Sequence, residues 1–392
     1  MSEIMVKVIR RAWEFLKNTK YRVNLIYGGA GAGKSYAVAQ HIILNLFLKE
    51  KDKHILITRK TNPSLRLTAY RLVLSLLEEY KIPYAHHKAD QILSFRPHGN
   101  LIFFRGLDDP EKIKSAEFNY IWMEEATEFA LEEYQQLKLR LRRHTSRTQN
   151  QMFLTFNPIP CWIKEYFFDA HKEDDIGSLK LTYKDNPFLA EEYVHSLEIL
   201  KEQDKTYYAI YALGEFVVPE NLIYTNWDVI SEVPGMDEVI YGVDFGYNNP
   251  TVVLKVGIKD KEVYVLDEIY QTHMTNADLI EALKRFVHVP NAYIFCDSSE
   301  PQRIEELRRA RFNAFGGTKD VKQGIDLLKR TKIHIFHTCV NTIKEVKLYR
   351  WKQDHASNVL DEPLKINDHA MDALRYAFYG YCSLSKPSIV SL

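Results

Sequence analysis

The chain has 392 residues, 46% of them apolar and 27% charged, which is the composition of an ordinary globular protein. Its 52 basic and 52 acidic side chains cancel, which excludes a uniformly basic surface and leaves only local patches for nucleic acid. The length favours two or three domains. The four cysteines lack metal-ligand spacing, no apolar run approaches the ~18 residues of a membrane span, and the first residues lack a signal-peptide pattern. We therefore expect a soluble intracellular protein with free thiols and no membrane association.

The first half of the chain alternates short apolar runs with longer helical patterns, which predicts a mostly parallel sheet with helices on both faces. Strands are predicted at 23–27, 54–58, 100–106, 120–125 and 151–157. Helices are predicted at 37–48, 64–80 and 132–143. The segment 93–104 is interpreted as a hairpin that turns at residues 97–100, where Pro, His, Gly and Asn follow one another.

The second half begins after a segment with prolines and no helical period, residues 217–238, which we interpret as a connection between domains. Consecutive strands joined by tight turns, followed by strands alternating with helices, predict a mixed sheet. Strands are predicted at 239–246, 251–258, 262–270, 292–297 and 332–336, and helices at 276–287, 301–312, 319–330 and 368–380. The predicted domains are residues 1–216, including a small lid at about 171–216, and residues 239–392.

The motif GGAGAGKS follows the first predicted strand and precedes the first long helix. This is the P-loop spacing, a glycine, four residues and then Gly-Lys-Ser, in its usual strand-loop-helix context. Backbone N–H groups and the helix N-terminus are expected to hold phosphates, with Lys34 on the β- and γ-phosphates and Ser35 on Mg²⁺. A chance Gly-rich turn is the alternative. The residues assigned to binding ATP are Gly28, Gly29, Ala30, Gly31, Ala32, Gly33, Lys34 and Ser35.

Two further strand ends complete the predicted nucleotide site. Glu124 and Glu125 close an apolar strand, and adjacent buried carboxylates are costly unless they face a metal ion and water. We assign Glu124 to the Mg²⁺ shell and Glu125 to orienting the attacking water. Thr155 and Asn157 end the next strand and are assigned to sensing the γ-phosphate. The alternatives are a solvated acidic strand end and an ordinary polar strand terminus.

An arginine usually stabilises the transition state in hydrolases of this kind, and this P-loop contains none. Arg59, Arg105, Arg140 and Arg142 are the nearby arginines. We hypothesise that Arg140 or Arg142 acts on a neighbouring subunit. The alternative is that both belong to the solvated face of their amphipathic helix.

A second group of carboxylates lies in the second half. Asp244 interrupts one apolar strand, Asp297 closes another, and Asp368 and Asp372 lie four residues apart on one helix with His369 between them. Like charges at that spacing destabilise a helix unless something neutralises them, and a divalent cation would do so. Oxygen ligands favour Mg²⁺ or Mn²⁺, and two such ions ~4 Å apart cleave phosphodiesters. The alternatives are a helix cap for Asp368, a turn residue for Asp297 and an ordinary helix residue for His369.

The order of these motifs resembles the large terminase subunit of tailed double-stranded DNA bacteriophages, in the branch with an RNase H-like nuclease. The resemblance covers nearly the whole chain. It is carried by GGAGAGKS, GLDDPEKIKSAEFNYIWMEEATEF, LTFNP, TYKDNPFL, YALGEF, GVDFGYNNP, CDSSEP and DHAMDALRY, in the order that the family shows them. It implies Asp244, Asp297 and Asp372 as nuclease metal ligands, with Asp368 and His369 beside them.

The resemblance also implies a function, in which ATP hydrolysis packages DNA into an empty capsid and the nuclease cuts the concatemer. It implies a portal protein and a small terminase subunit as partners, a homo-oligomeric ring, and work in the cytoplasm of an infected bacterium, transiently at the portal vertex. DNA contacts would be independent of sequence, with 138–147 and 303–312 as the best basic stretches. Many relatives carry an arginine where Ala30 stands.

Other classes of protein remain alternatives. One is a helicase- or recombinase-like DNA repair ATPase with a nuclease domain, and another is a nucleotide-switched assembly protein that does not cut DNA. A small-molecule kinase would leave the second half unexplained.

Overall fold

The computed structural model describes residues 6–18, 20–107, 116–144, 149–317, 320–353 and 359–384. The chain forms two compact units, one ending at Val218 and the other beginning at Pro219. Within the described ranges, none of the helices combines the length and apolar character needed to cross a membrane. The four cysteines are free thiols.

The first unit is built on a sheet of eight described strands in the order β3-β4-β5-β2-β6-β7-β1-β8. Pairing is parallel from β5 to β8 and antiparallel at the β3-β4-β5 edge, so the predicted mostly parallel sheet and its hairpin are confirmed. The strands are β1 (Val23–Gly28), β2 (His54–Arg59), β3 (Ala85–His87), β4 (Ile92–Phe95), β5 (Asn100–Gly106), β6 (Tyr120–Glu124), β7 (Gln151–Phe156) and β8 (Ile176–Leu181). The helices are α1 (Arg10–Leu16), α2 (Lys34–His41), α3 (Asn62–Leu67), α4 (Ala69–Glu79), α5 (Leu131–Arg140), α6 (Glu191–Gln203) and α7 (Lys205–Tyr211).

Three predictions for this unit differ from the structure. The single helix expected over 64–80 is two helices, because Thr68 leaves the helical region at φ −118° and ψ −99°. The helix expected over 37–48 continues α2 as a π-helix, Ile42–Phe47. The segment 171–216 is not wholly a lid, since β8 pairs with β1 at the edge of the main sheet and only the residues after it are mainly helical.

The second unit is built on a mixed sheet of seven described strands in the order β14-β13-β10-β11-β12-β15-β9. The β10-β11-β12 meander is antiparallel and the other pairs are parallel, as expected of an RNase H-like fold. The strands of this sheet are β9 (Trp227–Ile230), β10 (Glu238–Asp244), β11 (Thr251–Lys259), β12 (Glu262–Gln271), β13 (Tyr293–Cys296), β14 (Asn313–Gly316) and β15 (Ile333–Phe336). Two further strands, β16 (Trp351–Gln353) and β17 (Val359–Pro363), pair with each other in a separate sheet. The helices are α8 (Asn276–Phe286), α9 (Pro301–Arg309), α10 (Val321–Lys329), α11 (Val340–Val346) and α12 (His369–Leu384).

The segment 217–238, expected to connect two domains, contains a strand of the second unit. This strand, β9, pairs in parallel with β15. Its four residues, WDVI, are intermediate or exposed and do not alternate between apolar and polar, so the sequence gives only a weak strand signal. The antiparallel pair β16 and β17 was not predicted either.

Helix α12 is positioned by a close approach to the central strand β10. A Cβ atom on Gly242 would lie 2.0 Å from the carbonyl oxygen of Ala373, so only glycine allows the helix to cross the strand there. The contact brings the beginning of α12 to the carboxyl end of β10, where Asp244 lies. This packing positions the second group of acidic residues at the carboxyl end of β10.

Candidate functional sites

The P-loop conformation depends on glycines. Gly31 and Gly33 have φ angles of +72° and +77°, which side chains with a Cβ rarely adopt. A Cβ on Gly28 would lie 1.7 Å from the carbonyl oxygen of Leu181 in the adjacent strand β8. Gly33 precedes the first residue of α2, so the N-terminus of that helix faces the loop. The loop therefore has the backbone geometry of a phosphate cradle.

Lys34 extends its side chain back across the loop. Its Nζ donates to the carbonyl oxygens of Gly28 at 3.0 Å and Gly29 at 2.7 Å, and to Oδ1 of Asn157 at 2.8 Å. Lys34 is only 8% exposed, and burial lowers the pKa of its ammonium group while Glu125 and Glu124 oppose that change. A buried ammonium group held by neutral acceptors is a suitable partner for phosphate oxygens.

Ser35, Glu124 and Thr155 form one hydrogen-bonded chain. Ser35 Oγ donates to Oε1 of Glu124 at 2.8 Å, and the hydroxyl of Thr155 donates to Oε2 of the same carboxylate. Trp122 Nε1 donates to Oγ1 of Thr155 at 2.8 Å. Burial and the neighbouring Glu125 raise the pKa of Glu124. The hydroxyl and carboxylate predicted to hold Mg²⁺ are thus adjacent, which fits that ion.

Sheet order explains why these side chains meet. β7 lies between β6 and β1, and Thr155 is in register with both Glu124 and Ile26. Asn157 follows the end of β7 and therefore emerges beside Gly28. The cavity between the three strand ends has a volume of about 410 Å³. It is lined by Ala30, Gly31, Gly33, Lys34, Ser35, Tyr36, Glu124, Glu125, Thr155, Phe156, Asn157, Asn186 and Leu189.

Glu125 lies directly after β6 with a strained backbone. Its φ of 53° and ψ of 55° are in the left-handed region, which is uncommon for a residue other than glycine and frequent at functional sites. The following turn ends at Glu128, whose carboxylate accepts two hydrogen bonds from Arg59, at 2.9 and 3.1 Å. Arg59, one of the nearby arginines in the sequence, thus supports the segment that carries Glu125.

The acidic residues of the second unit gather at the carboxyl ends of β10 and β13. The backbone N–H of Asp297 donates to the carbonyl oxygen of Val243 at 3.0 Å, which places Asp297 beside Asp244. Nδ1 of His369 lies 2.9 Å from Oδ2 of Asp244. Burial raises the pKa of Asp244 to about 6, and the carboxylates of Asp372 and Asp297 add to that rise. The predicted acids therefore share one corner of the unit.

Two basic side chains neutralise the acidic pair at the start of α12, Asp368 just before the helix and Asp372 in its first turn. Nζ of Lys365 lies 2.9 Å from Oδ2 of Asp368 and 2.9 Å from Oδ2 of Asp372. Nη2 of Arg375 donates to Oδ1 of Asp372 at 2.9 Å. Lys365 and Arg375 thus supply compensating charge for the i, i+4 pair, so the pair does not by itself indicate a metal ion. The divalent cation expected there stays a prediction.

Comparison with known proteins decides the family. The model of the phage terminase large subunit matches residues 20–215, and the model of the terminase RNase H-like domain matches residues 244–379. The chain belongs to the phage terminase large subunit family.

Its relatives cover the same length. This large terminase is 29% identical to the PBSX phage terminase large subunit of Bacillus subtilis, over 96% of this chain and 95% of that one. It is 26% identical to the terminase large subunit of Bacillus phage SPP1, over 96% of both chains. It also resembles the solved large terminase of a thermophilic bacteriophage, with a TM-score of 0.53, 20% identity and coverage of 95% of this chain and 98% of that one. The similarity to this solved structure shows that the two chains share a fold.

The acidic centre of this large terminase has the donor chemistry for a hard divalent cation. Asp244 ends β10, Asp297 directly follows β13 and Asp372 lies on α12, and all three supply carboxylate oxygens, the ligands that Mg²⁺ and Mn²⁺ prefer. Across the described ranges, however, no three His, Cys, Asp or Glu side chains are already arranged around one point as a metal shell. Lys365 and Arg375 hold Asp372, and Ser299 donates to both oxygens of Asp297. The assignment of these residues as metal ligands stays a prediction.

The structure does not bring Arg140 and Arg142 to the nucleotide cavity of their own chain. The carbonyl oxygen of Arg140, at the end of α5, accepts from the backbone N–H of Phe118, just before β6 begins. Arg142 pairs with Glu117 at 2.9 Å on the surface. Both arginines thus lie near the amino end of β6, whereas Glu124 is at its carboxyl end. Their predicted action on a neighbouring subunit stays a prediction.

Sequence reasoning missed three residues that the structure places at these sites. Asn186 donates from Nδ2 to the carbonyl oxygen of Gly31 at 2.7 Å and lines the nucleotide cavity. Lys365 and Arg375 hold the acids of α12, as described above. Asn186 belongs to TYKDNPFL, a motif recognised only by resemblance, and Arg375 lies three residues after Asp372 on the helix. That i, i+3 spacing was a usable signal.

Proposed function

We propose that this chain hydrolyses ATP to translocate double-stranded DNA into a procapsid, and that it cuts the concatemer with a metal-dependent endonuclease. Phage large terminases are DNA-packaging motor subunits, and this chain carries both family domains. The ATPase activity is supported by the hydrogen bonds that link Ser35, Glu124 and Thr155. The nuclease activity is supported by the proximity of Asp244, Asp297 and Asp372 to one another.

ATP hydrolysis would use groups that already face the cavity. Lys34 would exchange its carbonyl and amide acceptors for phosphate oxygens, and Ser35 and Glu124 would hold Mg²⁺. Glu125 would orient the attacking water. Since Lys34 now donates to Asn157, its movement toward phosphate would release that amide, and Thr155 touches the carboxylate beside the metal position. These two contacts are the route by which hydrolysis would shift neighbouring segments.

DNA cleavage would use the acidic centre of the second unit. Asp244, Asp297 and Asp372 would hold Mg²⁺ or Mn²⁺, with Asp368 and His369 beside them. Such cations would stabilise the attacking and leaving oxygens of the phosphodiester. His369 fixes one oxygen of Asp244, and Arg375 fixes one oxygen of Asp372, so both carboxylates are oriented before a cation binds.

The expected partners follow from membership of the family. They are double-stranded DNA read through its backbone, a portal protein, a small terminase subunit and further copies of this chain in a ring. The setting would be the cytoplasm of an infected bacterium, transiently at the portal vertex. In the ring, Arg140 or Arg142 would reach the nucleotide cavity of the next subunit.

Two assays with purified protein test this proposal. Supercoiled plasmid incubated with Mg²⁺ or Mn²⁺ is expected to be cut, and the Asp297→Ala variant is expected to leave it intact. ATP-driven displacement of a third strand from linear duplex, without unwinding of a forked duplex, is expected of a translocase. Unwinding of the fork would favour a helicase, and uncut plasmid with both ions would favour an assembly protein without nuclease activity.

A further inference from the structure

One arginine at the end of the sheet that carries the acidic centre is oriented by an aromatic ring and an amide. The guanidinium carbon of Arg303, in α9, lies 4.5 Å from the centroid of the Phe245 ring. Phe245 directly follows Asp244 in the chain. Nε of Arg303 donates to Oδ1 of Asn276 at 3.4 Å. Among the ion pairs of the described residues, none includes Arg303.

The other arginines of α9 are engaged differently. The guanidinium carbon of Arg308 also lies over a ring, 6.0 Å from the centroid of Phe315, but its Nη1 lies 3.9 Å from Oε2 of Glu305 and its Nε donates to the carbonyl oxygen of Ala314 at 2.8 Å. Nε of Arg309 lies 3.2 Å from Oε1 of Glu305, and the Arg309 side chain is 78% exposed. Arg309 thus forms an ordinary surface ion pair with Glu305, and such pairs contribute little to the stability of a protein. Arg303 differs because an aromatic ring holds its guanidinium group while its charge is not neutralised by a carboxylate of the described residues.

We propose that Arg303 is a phosphate-binding residue that holds the DNA backbone at the end of the sheet where the acidic centre lies. The inference rests on the proposed nuclease function, and it adds a binding residue outside the acidic set. A planar guanidinium group matches two phosphate oxygens, and stacking on Phe245 reduces the entropy lost when it binds. Phe245 follows Asp244 at the carboxyl end of β10 and packs on the side of the sheet that faces α8 and α9, so a phosphate on Arg303 lies at the same end of the sheet as the acidic centre.

Electrostatics explain why such a residue is needed. The carboxylates of the centre repel the DNA backbone before cations bind, so a fixed positive charge at the rim lowers the energy of the encounter. A contact of this type adds affinity for every DNA sequence equally and is weakened by salt. Arg303 therefore acts on the affinity for DNA, whereas the acids act on the chemical step.

The test compares Arg303→Ala and Arg303→Gln with the matched control Arg309→Ala from the same helix. Plasmid cutting in Mn²⁺ is measured against DNA concentration at several salt concentrations, and thermal unfolding and ATP hydrolysis verify the fold. Arg303→Ala is expected to raise KM for DNA about tenfold with kcat within about twofold, and to reduce the salt slope by about one. Arg303→Gln, which keeps a side chain long enough for Asn276, is expected to behave the same way. Arg303→Lys, which keeps the charge without the planar group, is expected to fall between.

Each result has a distinct meaning. A KM for Arg303→Ala and Arg303→Gln equal to that of Arg309→Ala, in protein whose parent cuts plasmid, overturns the phosphate site. A loss of kcat with unchanged KM also overturns it. If the parent does not cut plasmid with either Mn²⁺ or Mg²⁺, the nuclease function itself fails, and the phosphate site fails with it.

Discussion

Asp244 and His369 are joined by a contact of 2.9 Å between Oδ2 and Nδ1, which ties the end of β10 to the first residue of α12. Asp244 is only 7% exposed, and burial raises its pKa to about 6. The same contact raises the pKa of His369. If the proposed cations bind at this centre, protons and cations would compete for the carboxylate of Asp244 near neutral pH.

Cation binding at this centre is expected to tighten as pH rises through about 6. A carboxyl group whose pKa is raised keeps its proton to a higher pH, so below about 6 a cation must displace that proton from Asp244. Mn²⁺ affinity measured by electron paramagnetic resonance from pH 5 to 8 checks this prediction. Affinity that does not change between about pH 5 and 7 would show that Asp244 is not a ligand.

Lys365→Ala is expected to strengthen cation binding and to destabilise the unit without cations. The ammonium group lies 2.9 Å from oxygens of both Asp368 and Asp372, so it competes with a cation for the same oxygens. Its removal leaves two carboxylates at i, i+4 with less compensation. We expect Mn²⁺ affinity to rise several-fold and the midpoint of thermal unfolding in EDTA to fall, both measured on the same preparation.

The control for that experiment is Lys322→Ala, because Lys322 pairs with an exposed carboxylate, Asp361. It is expected to change neither quantity. Weaker Mn²⁺ binding in Lys365→Ala than in the parent would mean that Lys365 supports the site rather than competing for it.

Thr155→Val is expected to lower ATP turnover about 10- to 100-fold with little change in ATP affinity. The hydroxyl of Thr155 donates to the buried carboxylate of Glu124, and valine has the same shape but no donor. The matched control is Thr58→Val, since Thr58 is also buried at a strand end and donates to the carbonyl oxygen of Arg105. Steady-state ATPase assays and nucleotide titrations separate the two effects. Equal turnover in the two variants would contradict a role for Thr155.

Arginine action between subunits is expected to appear only in assembled protein. Arg140 and Arg142 lie near the amino end of β6, away from the cavity at its other end. The Arg140→Ala, Arg142→Ala double variant should therefore lose oligomeric ATPase activity, while mixing it with Lys34→Ala subunits should restore part of it. Full activity of the double variant in the oligomer would rule these residues out.

Many residues of both candidate sites could be predicted because they lie at the ends of strands that the sequence indicates. Glu124, Asn157, Asp244 and Asp297 each end or follow an apolar run, and parallel pairing brings such ends to one edge of a sheet. The periodicity of the sequence therefore predicted which polar residues meet. It could not give their hydrogen-bond partners, because those depend on side-chain directions across strands.

Elements with weak local signals were missed for physical reasons. β8 reads IGSLKL, with a glycine and a serine that are poor in strands, and it is specified by parallel pairing with β1. Lys365 lies in an irregular segment before α12, so no periodicity ties it to Asp372. Arg303 is one of several arginines on an amphipathic helix, and it is distinguished by its contact with Phe245 together with the lack of an ion pair among the described residues. The positions of β8, Lys365 and Arg303 all depend on contacts with residues that are distant in sequence, which local sequence patterns do not reveal.

The presence of two separable activities in one chain is tested most directly by one paired measurement. ATP hydrolysis and Mn²⁺-dependent plasmid cutting are measured side by side for the parent, Lys34→Ala and Asp297→Ala. Lys34→Ala is expected to lose hydrolysis about 100-fold or more and to keep cutting, because the hydrogen bonds of Lys34 to described residues are all made at the P-loop and Asn157. Asp297→Ala is expected to lose cutting and keep hydrolysis. Loss of both activities in both variants, or undiminished cutting by Asp297→Ala, would contradict the two-site function.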